Sequence, residues 1–146
     1  MITRILDNEI LLCELDDTLP VLRHYWKTSP SPEQFKLNLL EVLDEYLALS
    51  QSYSVLAWLA DTTELGELEE ETEDWLVNEW EDKLFAEGGV KIHAVILGES
   101  IFADYPMENF KSDAEEKFQA YNVRLGVFSS REHAYAWIKE QQFAAD

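Results

Sequence analysis

Basic residues, glycine, proline and cysteine are all scarce in this chain of 146 residues. The chain has eleven Lys and Arg residues and thirty Asp and Glu residues, so its formal net charge is −19. A chain this acidic is repelled by the phosphates of DNA and RNA and by anionic membrane surfaces, so we expect no nucleic-acid partner. With five glycines and four prolines, the sequence has no long linker or low-complexity segment.

The lack of cysteine pairs and of long apolar runs bears on where the protein works. Cys13 is the single cysteine, so no internal disulfide can form, which is typical of a reducing compartment. The first residues lack the apolar core of a signal peptide, and no apolar run approaches the about 20 residues that cross a bilayer. We therefore expect a cytoplasmic protein without membrane insertion.

What the chain does have is apolar residues, at 47%, and aromatic residues, at 12%. This content is enough to build one complete core, so we predict a single domain over residues 1–146. Its opening segments, at 5–6, 10–15 and 19–26, are separated by turn-forming Asp and Asn residues. Residues 21–26 alternate in character, and together these features predict an antiparallel meander.

Strands and helices then alternate. Ser31, Pro32 and Gln34 have the spacing of a capping box with proline at the first helical position, and they predict a helix that ends near residue 50. A second helix is predicted from about 69 to 87, ended by Gly88-Gly89. Ser129 and Glu132, which also have capping-box spacing, predict a terminal helix. Buried strands are predicted at 53–60, 90–97 and 122–128, and one more helix at 107–121.

This order predicts the fold class α/β. Strands that alternate with helices form a largely parallel sheet by crossover connections. The expected architecture is thus a mixed, mostly parallel sheet that opens with an antiparallel meander and has helices packed against it.

Several short motifs in this order resemble a known group of proteins. The combination resembles the SpoIIAA-like (STAS-like) bacterial family, most of whose members are uncharacterised, and the resemblance covers nearly the whole chain. The motifs are Tyr25-Trp26, the helix start Ser31-Pro32-Glu33-Gln34-Phe35, the strand end Trp58-Leu59-Ala60-Asp61, Trp75-Leu76, Glu79-Trp80, Phe128-Ser129-Ser130 and Ala134-Tyr135-Ala136-Trp137-Ile138.

The resemblance implies a regulatory or protein-interaction module without enzymatic activity. Anti-anti-sigma factors of this class bind a partner kinase and are switched by phosphorylation of a serine that follows a buried strand. The matching place here is Asp61-Thr62-Thr63. Because the Asp-Ser-Ser-Gly-type motif of the switch is missing, Thr62 or Thr63 would have to take the phosphate.

The residues themselves point to the same edge of the sheet. Ligands of open α/β sheets favour the crevice beyond the carboxyl ends of the parallel strands. The predicted strand ends bring hydroxyl and carboxylate groups to that edge, although each has an alternative role as a turn or helix cap. We name as the candidate switch or ligand edge Asp61, Thr62, Thr63, Glu99, Ser100 and Ser129.

Two further features leave alternatives open. The segment broken by Pro106 could cover an apolar, lipid-like ligand, with a pocket lined by Phe102, Tyr105, Met107 and Phe110, or it could simply pack on the sheet. The stretch 61–87 holds twelve acidic residues against Lys83 alone. Such a stretch is a solvated face or a surface for a basic protein partner.

Signs of catalysis are missing from the sequence. The three histidines, His24, His93 and His133, show no metal-ligand spacing, and His93 has the pattern of a satisfied core histidine. No Gly-rich phosphate loop, nucleophile elbow or paired-cysteine motif occurs. We expect no enzymatic activity, no metal and no cofactor, but a protein partner. A homodimer is left open.

Overall fold

The computed structural model describes residues 1–66, 68–97 and 123–145. Six strands form one sheet, and their spatial order is their order along the chain. The strands are β1 (Ile2–Asp7), β2 (Leu11–Asp16), β3 (Val21–Trp26), β4 (Ala57–Asp61), β5 (Ile92–Ile96) and β6 (Arg124–Phe128).

The sheet is mixed, as predicted. β1, β2 and β3 pair antiparallel as a meander, and β3 to β6 pair parallel. The α/β class is therefore confirmed. In the parallel part, Tyr25 pairs with Asp61, and Asp61 pairs with Ile96, so these three residues lie in one row at the carboxyl ends of their strands.

The first helix, α1 (Pro32–Ser50), begins where the sequence predicts. Ser31 Oγ accepts a hydrogen bond from the backbone N–H of Gln34, and the Gln34 side chain accepts one from the N–H of Ser31. Both bonds satisfy N–H groups that the first helical turn leaves without a partner. The face of α1 that includes Phe35, Leu39 and Val42 is buried.

The second helix is less regular than its sequence predicts. It begins as α2 (Glu70–Trp75) and continues in two π-helical segments, Leu76–Trp80 and Lys83–Glu87. We call the whole run, residues 70–87, the second helix. Gly89 ends it with a φ of 66°, the left-handed geometry expected of a glycine stop. Trp80 and Leu84 are buried as expected, whereas Trp75 and Leu76 are only partly buried.

The terminal helix, α3 (Arg131–Ala145), starts one residue later than predicted. Its cap is Ser130, whose Oγ accepts from the backbone N–H of His133 at 3.3 Å. The prediction that Ser129 pairs with Glu132 in a capping box was wrong, because the chain is still leaving β6 at Ser129.

Three of the strands are shorter than predicted. β4 begins at Ala57 rather than at 53, since Ser52 and Tyr53 still bond back to carbonyls at the end of α1. β5 and β6 are shorter than predicted by two residues or more. The helix predicted at 107–121 lies outside the described residues.

The two faces of the sheet carry separate cores. α1 and the second helix cover one face, where Leu22, Trp58 and Leu84 belong to the larger apolar cluster. α3 covers the other face, where Leu59, Ala94 and Ile138 belong to the smaller one. Because successive strand residues point to opposite faces, Trp58 and Ala60 lie on the first face, and Leu59 and Asp61 on the second. We call these the α1 face and the α3 face.

Candidate functional site

Asp61 ends β4 on the α3 face and lies at the centre of the predicted edge. Its carboxylate is 2% exposed, and it is fully engaged. Oδ1 accepts from the backbone N–H of Thr63 at 3.0 Å and from its hydroxyl at 2.6 Å, and Oδ2 accepts from Nε of Arg131 at 2.7 Å. A buried carboxylate needs such donors and a cation to remain charged. Asp61 therefore joins the end of β4 to the first turn of α3.

The two threonines after β4 differ in access. Thr62 is buried, and its hydroxyl donates to the carbonyl of Ile96 at 2.6 Å, which ties this turn to the end of β5. Thr63 is exposed, and its hydroxyl donates to Asp61. Of the two candidates for phosphorylation, the structure therefore leaves Thr63 within reach of another protein.

The other residues of the predicted edge either make no hydrogen bond with Asp61 in the described part of the chain or lie outside the described residues. Ser129 is exposed, and its neighbour Ser130 supplies the helix cap. Glu99 and Ser100 lie outside the described residues. So do the four residues of the predicted apolar pocket, Phe102, Tyr105, Met107 and Phe110.

A polar network extends from Asp61 across the α3 face. The guanidinium of Arg131 lies over the ring of Tyr25, 4.4 Å from its centroid, and the hydroxyl oxygens of Tyr25 and Tyr135 are 3.2 Å apart. Arg23 donates to the Tyr135 hydroxyl and pairs with Glu14 at 3.2 Å. Burial raises the pKa of Tyr25 above its usual range, so the network stays protonated at Tyr25 under physiological conditions. These contacts hold α3 against the sheet.

A cavity of about 90 Å³ lies on the α1 face, between the sheet and the second helix. Its floor consists of strand residues, with Ala60 opposite His24 and Val95 across the neighbouring strands. The remaining lining residues are Trp26, Phe35, Leu39, Trp58, Thr62, Leu65, Leu68, Leu76, Trp80, Glu81, Leu84, His93 and Leu97. Most of this lining is aromatic or aliphatic, and its polar members are His24, Thr62, Glu81 and His93.

Two buried histidines flank Trp58 at the cavity. Nε1 of Trp58 donates to Nδ1 of His24 at 2.9 Å, so the proton of the neutral His24 ring is on Nε2. Nδ1 of His93 lies 3.0 Å from the carbonyl oxygen of Trp58, which only accepts, so the His93 proton is on Nδ1. Burial lowers the pKa of His24 to about 3 and that of His93 to about 4, so both rings are neutral at physiological pH.

Sequence reasoning missed this cavity, although part of its signal was there. His24, Trp58 and His93 each lie in a predicted strand, and the parallel pairing places Trp58 directly opposite His93. Which strand positions share a face can be read from their period of two. The empty space above Ala60 could not be read in this way, because it depends on how the second helix packs.

No protein family model, curated protein or solved structure matches this chain. The STAS-like resemblance is therefore carried by its motifs alone. Within residues 1–66, 68–97 and 123–145, no three His, Cys, Asp or Glu side chains cluster as metal ligands would. In the same part of the chain, no helix combines the length and the apolar character needed to cross a membrane.

Proposed function

We propose that the protein is a non-enzymatic interaction module of the STAS-like kind, and that Thr63 is the residue through which its binding is switched. One observation carries the proposal: Thr63 is an exposed residue, and its hydroxyl donates to the buried carboxylate that holds Arg131 of α3. A change at Thr63 thus reaches a second element of the fold directly.

Phosphorylation would act on these contacts through charge. A phosphate carries about −1.5 to −2 charges near neutral pH and cannot donate the bond that the Thr63 hydroxyl makes. It would repel the carboxylate of Asp61 and attract Arg131, whose side chain is 59% exposed and whose Nε lies 2.7 Å from Asp61. The first turn of α3 and the surface around it would then change, so that a partner binds more tightly or more weakly.

The second helix indicates the chemistry of that partner. Glu69, Glu70, Asp74 and Glu79 are exposed on or beside it, and the sequence from 61 to 87 has a strong excess of acidic residues. A partner with a basic surface would associate faster and more selectively with such a face. Its binding should weaken as salt is added, because salt screens exposed charges.

The test compares three variants as baits in lysate from the protein's own cell. Thr63→Glu introduces a negative charge, Thr63→Val removes the hydroxyl, and Thr3→Glu places the same charge on an exposed threonine of β1 as a matched control. We expect a protein whose recovery differs between Thr63→Glu and Thr63→Val, while Thr3→Glu behaves as the unaltered protein does. Phosphopeptide mapping of the endogenous protein should find phosphate on Thr63.

Equal recovery of every captured protein by all three variants, with no phosphate on Thr63 in any growth state, would contradict the proposal. Phosphate on Thr62 instead would also contradict it, because the Thr62 hydroxyl is buried in the structure.

A further inference from the structure

The cavity on the α1 face is lined mainly by residues of the larger apolar cluster, among them Trp26, Trp58 and Leu84. Protein interiors leave few voids larger than a water molecule, and empty space beside apolar groups costs stability. A cavity of about 90 Å³ has room for about three waters. Because most of its lining is aromatic or aliphatic and offers water few hydrogen bonds, a mostly apolar occupant is favoured over water.

One polar group in this lining has no acceptor. Nδ1 of His24 is occupied by the indole N–H of Trp58, so Nε2 carries a hydrogen that can be donated. No acceptor for it is present in the described part of the chain. Every described side-chain nitrogen or oxygen that is sealed from open space has a partner, so Nε2 must border open space. His24 is 2% exposed and lines the cavity, so that open space is the cavity.

The roof of the cavity is the irregular part of the second helix. Leu76 and Trp80 begin and end one π-helical segment, and Leu84 lies in the other. Such segments are rare and occur frequently at functional sites. Here they occur at the residues that face the cavity.

We propose that this cavity binds a small, uncharged, mostly apolar molecule with one hydrogen-bond acceptor, which accepts from Nε2 of His24. An anion would lose its hydration and meet the carboxylate of Glu81, and a cation would compete with the interaction that Glu81 already makes. The volume excludes an acyl chain, since sites for drug-sized ligands are several times larger, about 300–1,000 Å³. The site lies on the opposite face of the sheet from Asp61 and does not depend on the switch at Thr63.

Cyclopentanone and cyclopentane form a matched pair of probes. The first has a carbonyl acceptor and the second does not, and both are close in size to benzene, which binds in an apolar cavity of another protein. Binding is followed by NMR through the indole N–H signals. Trp58 and Trp80 line the cavity, whereas Trp137 packs on the α3 face and serves as an internal control.

We expect saturable shifts at Trp58 and Trp80, none at Trp137, and tighter binding of cyclopentanone than of cyclopentane. His24→Asn keeps an acceptor for the Trp58 indole but ends short of the Nε2 position. This variant should weaken cyclopentanone about three- to tenfold, the loss of one neutral hydrogen bond, and leave cyclopentane unchanged.

Filling the cavity should abolish binding of both probes. Ala60→Leu places a larger side chain on its floor, and Leu76→Phe does so from the roof, in case the first variant does not fold. Ala86→Leu, a substitution at an exposed position of the same helix, is the matched control and should bind as the unaltered protein does.

Three results would overturn the proposal. The first is the absence of saturable shifts at Trp58 and Trp80 with either probe. The second is equal binding of the two probes, which would show that Nε2 of His24 keeps a water instead. The third is unchanged binding in the filled variants. None of these results bears on Thr63, so the two proposals fail separately.

Discussion

The stability of the protein should fall in mild acid because His24 and His93 are held neutral in the folded state. Burial lowers the pKa of His24 to about 3 and that of His93 to about 4. In the unfolded chain both rings take up a proton near their usual pKa of about 6.5. Between these values the unfolded state binds more protons than the folded state. The contribution of the two neutral histidines to stability is therefore fully present above pH 6.5 and decreases as the pH falls below it.

The size of this loss follows from the difference in bound protons. Between pH 7.5 and pH 5.5, each histidine passes from mostly neutral to mostly charged in the unfolded chain, while both stay neutral in the fold. One such group contributes about 1.4 kcal/mol over this interval, and the pair therefore about 3 kcal/mol. Set against a typical total of about 5–15 kcal/mol, this loss is easily measured.

The perturbation that isolates this effect is the double substitution His24→Asn with His93→Asn. Asparagine can place its amide oxygen or nitrogen near the position of Nδ1, so both bonds to Trp58 can be kept. All other ionisable groups are the same in the two proteins, so their contributions cancel in the comparison. The assay is urea unfolding at pH 7.5 and at pH 5.5, analysed by linear extrapolation.

We expect the unaltered protein to lose about 3 kcal/mol more than the double variant over this interval. If the two proteins lose the same free energy of unfolding, the histidines are not buried as neutral groups. If the double variant loses more free energy of unfolding than the unaltered protein, the two histidines stabilise the fold in acid, which is the opposite of what we expect.

Three further predictions concern single residues. Burial raises the pKa of the Cys13 thiol to about 12, so a thiol reagent at pH 8 should leave Cys13 unmodified until the protein is unfolded; rapid labelling of the native protein would contradict this. Ser130→Ala should lower the free energy of unfolding by about 1 kcal/mol because α3 loses its cap, whereas Ser129→Ala should have little effect. Equal losses in the two variants would argue against the cap. Gly89→Ala should cost about 1–2 kcal/mol in thermal or urea unfolding, because an added Cβ meets no neighbour and the cost comes from the positive φ alone; Gly89→Asn should cost less.

Most of the elements could be predicted because their signals are local. The start of α1 needs only Ser31, Pro32 and Gln34, whose bonds form within one helical turn. The meander needs only turn residues between short apolar segments, and its three strands appear in the predicted order. Element ends were less accurate, as at Ala57 and Ser130, because a strand or helix ends where its partners end, and the partners are distant in sequence.

The candidate edge could be predicted in part. Asp61, Thr62 and Thr63 lie at the carboxyl end of a parallel strand, as expected, but their roles differ for reasons that no local pattern contains. Thr62 is tied to Ile96 and Asp61 to Arg131, which are 34 and 70 residues away along the chain. Burial of one threonine and exposure of its neighbour follow from those long-range contacts.

The sequence by itself determined the acidic charge, the α/β alternation and the residues that point to each face of a strand, because these depend on composition and on short periods. Only the tertiary structure decided that His24 and His93 flank Trp58, that the second helix contains π-helical segments and that a cavity remains above Ala60. The physical reason is that a cavity remains wherever the side chains of two packed elements do not fill the space between them. That unfilled volume depends on side chains from the strands, α1 and the second helix together, and on no segment alone.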